Sequence, residues 1–452
     1  MLSRPADWAG LLLATTLSIS AAQAARNVIV LIGDGLGQSH FIAARTYSQH
    51  HLGQDLHLSK LMQRRCCLAL VTNDTADALV TESAAAAGQI ATGQKMTALA
   101  ISMAADGKTP VTTLMEVARQ QGKSTGLVTT SGITDATPAA FAAHVSNRSD
   151  QASIAAQQIA FGVDVLLGGS REFFLPSTAG GKRKDSRDLI AEARAAGYGY
   201  AQTADELRAA SSARVLGLFN MDRMAYEIDR AQTKEPSLAQ MTDATLRLLA
   251  RNPNGFVAMI EGGRIDHAAH RNDAPATIHD TLAFDAAVGR ALAFAEKTPD
   301  TLVIVTADHE TGGMALIGNS KTSKNYVGMD SAALARAKMS FELLAKRWGK
   351  TPDAATIKST VLDALGVELT DAEVQTVLDD TLRKLDPANY TYPLLHSLAF
   401  VLRPYWRIGF ATQTHTASPL FAVGHGPGAE QLGGLMHNTE LFSILREAVE
   451  KR

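Results

Sequence analysis

Three apolar, strand-like runs of this 452-residue chain end in acidic residues. VIVLIGDG ends at Asp34, FVAMIEGG at Glu261, and LVIVTADHE at Asp308 with His309 beside it. In open α/β sheets, ligands sit beyond the carboxyl ends of strands. Three carboxylates gathered there repel one another and stay ionised cheaply only around a cation. One such acid is more often a cap or a turn residue; the repetition points to metal. EGGRIDHAAH adds Asp266 and His270, four apart and so on one face of a helix. A carboxylate and an imidazole at that spacing suit zinc, although taken alone the pair reads equally well as a surface ion pair. With Asp308, His309 and a further histidine they make mixed oxygen and nitrogen ligands for two divalent ions. HETGG, starting at His309, is not the H-E-x-x-H zinc helix, because its fifth residue is Gly313. Later, TQTHTASPLFAVGHGPGA offers His415 and His425, either of which could complete a zinc site.

A second kind of chemistry could start at Ser83 in VTESAAAAG. It has no G-x-S-x-G frame and no histidine close downstream, so a hydrolase elbow is excluded. Its plain reading is an N-cap for an alanine-rich helix. In TDATPAAFAAHVSNR, Thr137 before Pro138 also reads as an N-cap, with proline opening the helix. Arg148 ends that stretch. Alone it is a solvated charge; near metals it is a fork for phosphate oxygens.

The elements that must position these groups follow an alternating pattern. NVIVLI, CCLALV, TGLVTT, VDVLLG, ARVLGLF, GFVAMI, TLVIVT and LFAVG read as strands, and patterns such as SLAQMTDATLRLLARN read as the helices between them. This predicts an α/β fold, a three-layer α/β/α sandwich around a central, mostly parallel sheet. From about 319 to 411 the rhythm changes to mainly helical, as in an inserted cap or lid. Leu334, Ala337, Phe341, Leu344 and Trp348 form one helical stripe ending at Gly349, and TDAE from Thr370 to Glu373 is a capping box.

With 43 Lys+Arg against 45 Asp+Glu, the chain lacks the basic excess of a nucleic-acid binder. Residues 1–24 read as a secretory signal: Arg4, the apolar run AGLLLATTLSI, too short to span a bilayer, and AQA ending at Ala24. That predicts a mature chain, 25–452, without a membrane span, in the periplasm or secreted. Cys66 and Cys67 are adjacent, a spacing that rarely allows an ordinary disulfide.

NVIVLIGDGLG, TESAAAAGQIATG, DATPAAFAAHVSNR, DVLLGGSREFFLP, EGGRIDHAAH, TADHETGG and HTASPLFAVGHGPGA with NTELF, in this order, resemble the alkaline phosphatase family. The resemblance spans nearly all of the mature chain outside the helical segment. It implies a homodimeric hydrolase of small phosphate monoesters holding two Zn²⁺ and one Mg²⁺. Ser83 would be the nucleophile, forming a phosphoserine, and needs no histidine base if zinc lowers the pKa of its hydroxyl. Asp266, His270 and His415 would hold one zinc; Asp34, Asp308 and His309 the other. Asp34, Thr137 and Glu261 would hold the magnesium, and Arg148 would clamp phosphate. The helix opened by Ser83 would add free amides for the anion.

Three departures from the family pattern stand out. Glu82 stands where Asp is usual before the nucleophile, and its extra methylene is expected to shift Arg148. Gly88 stands where Thr is usual, weakening its helix by about 1 kcal/mol. Asp135 and His267 form a mixed pair near the third metal, leaving Zn²⁺ or Co²⁺ as alternatives to Mg²⁺. Competing readings are a phosphodiesterase of the same superfamily and an exported metal-binding protein that has lost turnover.

Overall fold

In the computed structural model, residues 25–64, 67–318 and 328–450 are described, and their aliphatic runs assemble into one ten-stranded sheet. In chain order its strands are β1 (Asn27–Gly33), β2 (Leu68–Thr72), β3 (Ser124–Gly132), β4 (Val165–Gly169), β5 (Tyr198–Ala201), β6 (Arg214–Leu218), β7 (Phe256–Glu261), β8 (Thr301–Ala307), β9 (Leu420–His425) and β10 (Gly433–His437). Across the sheet they lie β10-β2-β9-β8-β1-β7-β3-β4-β6-β5. Only β9 runs against the rest, pairing antiparallel with β2 and β8. Every residue of β1, β7 and β8 is buried, so both faces of the sheet centre are covered. That is why these strands read as unbroken apolar runs rather than as alternating ones. The expected mostly parallel α/β architecture is therefore what forms.

The helices that matter for the site are α1 (Gln38–Tyr47), α2 (Ser83–Thr92), α3 (Ala136–Ala142), α4 (Arg264–His270) and α5 (Ala274–Lys297). Between β8 and β9 come α6 (Phe341–Trp348), α7 (Ala354–Leu365), α8 (Asp371–Asp379) and α9 (Leu395–Trp406). The single stripe expected around residues 334–348 is divided. A short helix, Ser331–Leu334, ends, and α6 starts afresh at Ser340, whose hydroxyl caps Leu343 N at 3.1 Å. Two buried acids explain the break: Asp229 accepts from Ser340 N, and Asp273 accepts from Phe341 N. Leu334, Ala337, Phe341, Leu344 and Trp348 are nonetheless all buried. The capping box at Thr370 and Glu373 opens α8. Among the described residues no helix is long and apolar enough to cross a membrane. The proposed signal segment 1–24, Cys66 and the start of the helical segment at 319–327 lie outside the described residues.

Candidate metal centre and nucleophile

Strand register brings the three acids together. Ile32 of β1 pairs with Glu261 of β7, and Gly33 pairs with Ala307 of β8. Asp34 and Asp308 each follow their strand by one residue and so emerge at the same level, while Glu261 lies two residues lower on the adjacent strand, on the same side of the pleat as Asp34. The chain passes from Asp34 through Gly35, at φ +71°. A Cβ there would stand 2.8 Å from the Asp266 Cα, so glycine lets α4 approach β1 closely.

His415 arrives by another route. A two-residue antiparallel ladder pairs it with Thr311, just beyond β8. His425, the other histidine of that stretch, lies elsewhere. β9 runs antiparallel, so His425 sits opposite Val303, toward the amino end of β8, with Arg64 at 3.0 Å from its Nδ1.

The rings face one another in a way that calls for a cation. His270 Nε2 and His415 Nε2 are 3.0 Å apart, and Asp266 Oδ1 is 3.2 Å from the first and 3.6 Å from the second. Each Nδ1 points at a main-chain carbonyl: Gln413 O at 2.6 Å for His270, Thr81 O at 2.9 Å for His415. A carbonyl only accepts, so both Nδ1 atoms carry a proton, and it is the Nε2 of each ring that is turned toward the other ring and Asp266. Burial holds His415 below the usual imidazole pKa, in favour of the neutral ring. Two imidazole Nε2 atoms and a carboxylate oxygen thus converge on one point, the donor set that a shared cation satisfies.

The pattern repeats at His309. Thr311 gives its hydroxyl proton to Asp266 Oδ1 at 2.5 Å and so accepts from His309 Nδ1 at 3.2 Å. Burial and the neighbouring His415 hold His309 neutral. Its Nε2 lone pair faces Asp34 Oδ1 at 3.5 Å, Asp308 Oδ2 at 3.3 Å and the Ser83 hydroxyl at 3.2 Å. Asp34, Asp266 and His309 present ligand atoms within 4.8 Å of one another, as do Asp266, His270 and His415.

A third group lies next to these. Thr137 Oγ1, Glu261 Oε2, Asp34 Oδ1 and Asp308 Oδ2 are buried with no hydrogen-bond partner among the described residues. Burial, with crowding by neighbouring acids, raises Asp34 well above the usual carboxylate range and pushes Glu261 up to about 8 and Asp308 to about 7. Orphaned, crowded oxygens of this kind are what hard divalent cations neutralise. Thr137 is not the cap of α3. That role belongs to Asp135, whose carboxylate accepts from Ala136 N, leaving the Thr137 hydroxyl unused.

Ser83 is likewise not the cap of α2. Glu82 is, accepting from Ala84 N at 3.0 Å and Ala85 N at 2.9 Å. The Ser83 hydroxyl is thereby released toward His309. The same two amides are then engaged with Glu82, contrary to the expectation that they stand free for an anion. Glu82, with its extra methylene, still reaches Arg148. Glu82 Oε2 accepts from Arg148 Nη1 at 2.7 Å, and Asp135 Oδ1 accepts from Nη2 at 2.8 Å. Burial opposes the charge on Glu82, but Arg148 and the amides of Leu99, Ala84 and Ala85 hold it below its ordinary pKa. Gly88 packs closely: a Cβ there would stand 3.0 Å from Met96 Cγ, so a larger residue requires the Met96 side chain to shift. His267 is half-buried near Asp135, its Nδ1 buried with no partner among the described residues, and desolvation together with Arg223 holds its pKa well below the usual imidazole value.

Residues 25–451 match the alkaline phosphatase family. The chain belongs to that family. Alkaline phosphatase 4 of Bacillus subtilis (strain 168) is 34% identical over 429 residues, covering 93% of this chain and 88% of that protein. Streptomycin-6-phosphate phosphatase of Streptomyces griseus is 37% identical over 342 residues, 65% of this chain and 76% of its own length. The crystal structure of Thermus thermophilus alkaline phosphatase superposes with a TM-score of 0.86 at 34% identity, covering 97% of this chain and 95% of that one. The resemblance carried by the ordered motifs is thus met. The chain is an enzyme of the alkaline phosphatase class, for which phosphomonoester hydrolysis and divalent metals are the family's chemistry.

Sequence reasoning missed Thr311, which sets the proton on His309 and binds Asp266. Its signal was available: two residues after His309 on an extended segment, it shares that side of the chain. The carbonyls of Gln413 and Thr81 carry no side-chain signature and could not have been found.

Proposed function

We propose that the chain hydrolyses phosphate monoesters by double displacement at Ser83. The observation that carries this reading is the free Ser83 hydroxyl, aimed at a histidine nitrogen among orphaned carboxylates. Ser83 Oγ attacks phosphorus; the Oγ–P bond forms, the bond to the ester oxygen breaks, and the alcohol leaves. Water then attacks the phosphoserine, restoring Ser83 and releasing phosphate. Arg148, held flat between Glu82 and Asp135, offers its remaining guanidinium N–H groups to the phosphate oxygens.

In this reading Asp266, His270 and His415 would hold one Zn²⁺, and Asp34, Asp308 and His309 a second. Asp34, Thr137 and Glu261 would hold Mg²⁺, with Zn²⁺ or Co²⁺ as alternatives. Bound there, such ions supply Lewis acidity, lowering the pKa of a nearby hydroxyl and offsetting phosphate charge. The helical segment at about 319–411 is read as an inserted cap, a role supported by the contacts of Glu342 with Arg264 and Arg271. Export to the periplasm or beyond is supported by the AGLLLATTLSI run and AQA before Ala25, and a homodimer by family membership.

The deciding experiment compares a phosphate monoester with its methyl diester, using protein supplied with zinc and magnesium. Monoester turnover should dominate. A preference for the diester would favour the phosphodiesterase reading, and no turnover of either would favour the inactive metal-binding protein. A separate expectation concerns Arg148→Ala. Losing charge-assisted bonds of roughly 1.5–3 kcal/mol should raise the inhibition constant of inorganic phosphate by about 10- to 100-fold. Competitive inhibition assays check this, and an unchanged constant would remove Arg148 from the phosphate site.

A further inference from the structure

Helix α4 has a second working face. Arg264, His267 and Arg271 are spaced three and four apart, so they line up beside the face that bears Asp266 and His270. Arg264 and Arg271 wall a cavity of about 330 Å³, closed by Arg223 and Tyr226 from the segment after β6 and by Glu342 and Lys346 from α6.

Charge in this wall is out of balance. Arg264, Arg271 and Lys346 lie 2.9, 3.3 and 2.8 Å from the same carboxylate, Glu342. These three cations outnumber the Glu342 carboxylate by two, an excess that the buried Asp280 beside Arg264 offsets only in part, because burial favours its neutral form. Two other acids line the cavity. Asp229 takes the Ser340 amide at 3.1 Å and is raised by burial, whereas Asp222 is 71% exposed and screened by solvent. Arg223 approaches Asp135 and Asp222 only to 3.6 and 3.8 Å, beyond hydrogen-bond reach.

Hydrogen bonding is unbalanced in the same sense. Tyr226 Oη, Arg264 Nε and Arg223 Nε are buried without a hydrogen-bond partner among the described residues. Tyr226 is itself 1% exposed, and the Arg264 guanidinium stacks 3.6 Å above its ring. Guanidinium nitrogens only donate, and a phenol donates readily. Spare donors and surplus positive charge are complemented by one chemistry, a small oxyanion. We propose that this cavity is a second anion site, distinct from the Ser83 pocket, that takes a single phosphate or carboxylate group. The group could come as free phosphate or as a second anionic group on the alcohol half of a substrate.

The experiment uses metal-loaded protein and two arms. In equilibrium dialysis at millimolar inorganic phosphate, the wild type should bind two phosphates per chain. Arg271→Gln should weaken the second by about tenfold or more, the loss expected for a charge-assisted bond. Tyr226→Phe, which removes only an unpartnered hydroxyl and so spares the fold, should weaken it several-fold. In the kinetic arm, monoesters of a neutral alcohol and of a hydroxy acid of the same size are compared. If the anion arrives on the substrate, Arg271→Gln should lower kcat/KM about tenfold for the acid ester alone. If it is free phosphate, only the stoichiometry should fall. One phosphate per chain with no selective kinetic change, or a second phosphate indifferent to both substitutions, overturns the proposal. Either result leaves the Ser83 reading untouched, since that reading is decided by turnover of the neutral ester.

Discussion

Ser83→Ala should abolish turnover while leaving the fold and the metal content in place. The two halves of this expectation have separate physical grounds. Ser83 begins α2 as its first helical residue, and Glu82 is the cap, so alanine keeps every capping bond. Alanine is also the best helix former. The only interaction lost is the contact with His309 Nε2 at 3.2 Å, about 1 kcal/mol. Chemistry, by contrast, loses its nucleophile, and removing one from a covalent mechanism costs on the order of 10⁶ in rate. Phosphoenzyme trapping, steady-state turnover and metal analysis on one preparation test this together. Monoester turnover near the wild-type rate would contradict the assignment of Ser83.

Metal removal should have the second largest effect, and its size should depend on pH in a defined direction. Without cations, Glu261 titrates at about 8 and Asp308 at about 7, both raised first by burial. Unfolded, such groups titrate near 4. The folded, metal-free chain therefore holds protons that the unfolded chain releases. Its stability from these groups is fully present below about pH 4 and is lost as pH rises through 7 and 8. Metal binding must expel the same protons, so affinity rises with pH across that window. Free metal at a thousand times its Kd stabilises by about 4 kcal/mol per site. The drop in Tm on adding chelator should thus be small near pH 5 and large near pH 8. Calorimetry with and without chelator at both pH values checks this; a drop that shrinks toward pH 8 would mean that these carboxylates do not meet a cation.

The strands were legible inside the sheet and illegible at its edges. All eight apolar runs formed strands. The two strands without such a signal, β5 (YGYA) and β10 (GGLMH), are the two edges of the sheet. An edge strand is held by one neighbour and packs less, so it tolerates glycine and shows no apolar run. The divided helix before Gly349 failed for a different reason. Its stripe was correct and its residues are buried, but Asp229 and Asp273, distant in sequence, claim the amides that a continuous helix would have used.

By itself the sequence determined the α/β class, the acids at three strand ends, the Asp266–His270 helix face and the ordered motifs that mark the family. These are local quantities: burial on both faces, a 3.6-residue period and the order of short runs along the chain. Only the tertiary structure decided that Glu82 rather than Ser83 caps α2, and that the reversed β9 carries His425 away while His415 stays. It also decided that carbonyls and Thr311 fix the ring protons so that three imidazole Nε2 atoms face the acids. Each of those outcomes depends on where a side chain or carbonyl points, and in each a distant partner helps to set that direction: Arg148 for Glu82, Asp266 for Thr311, Thr81 for His415. Spacing along the chain does not encode that direction; the sheet register and helix packing do.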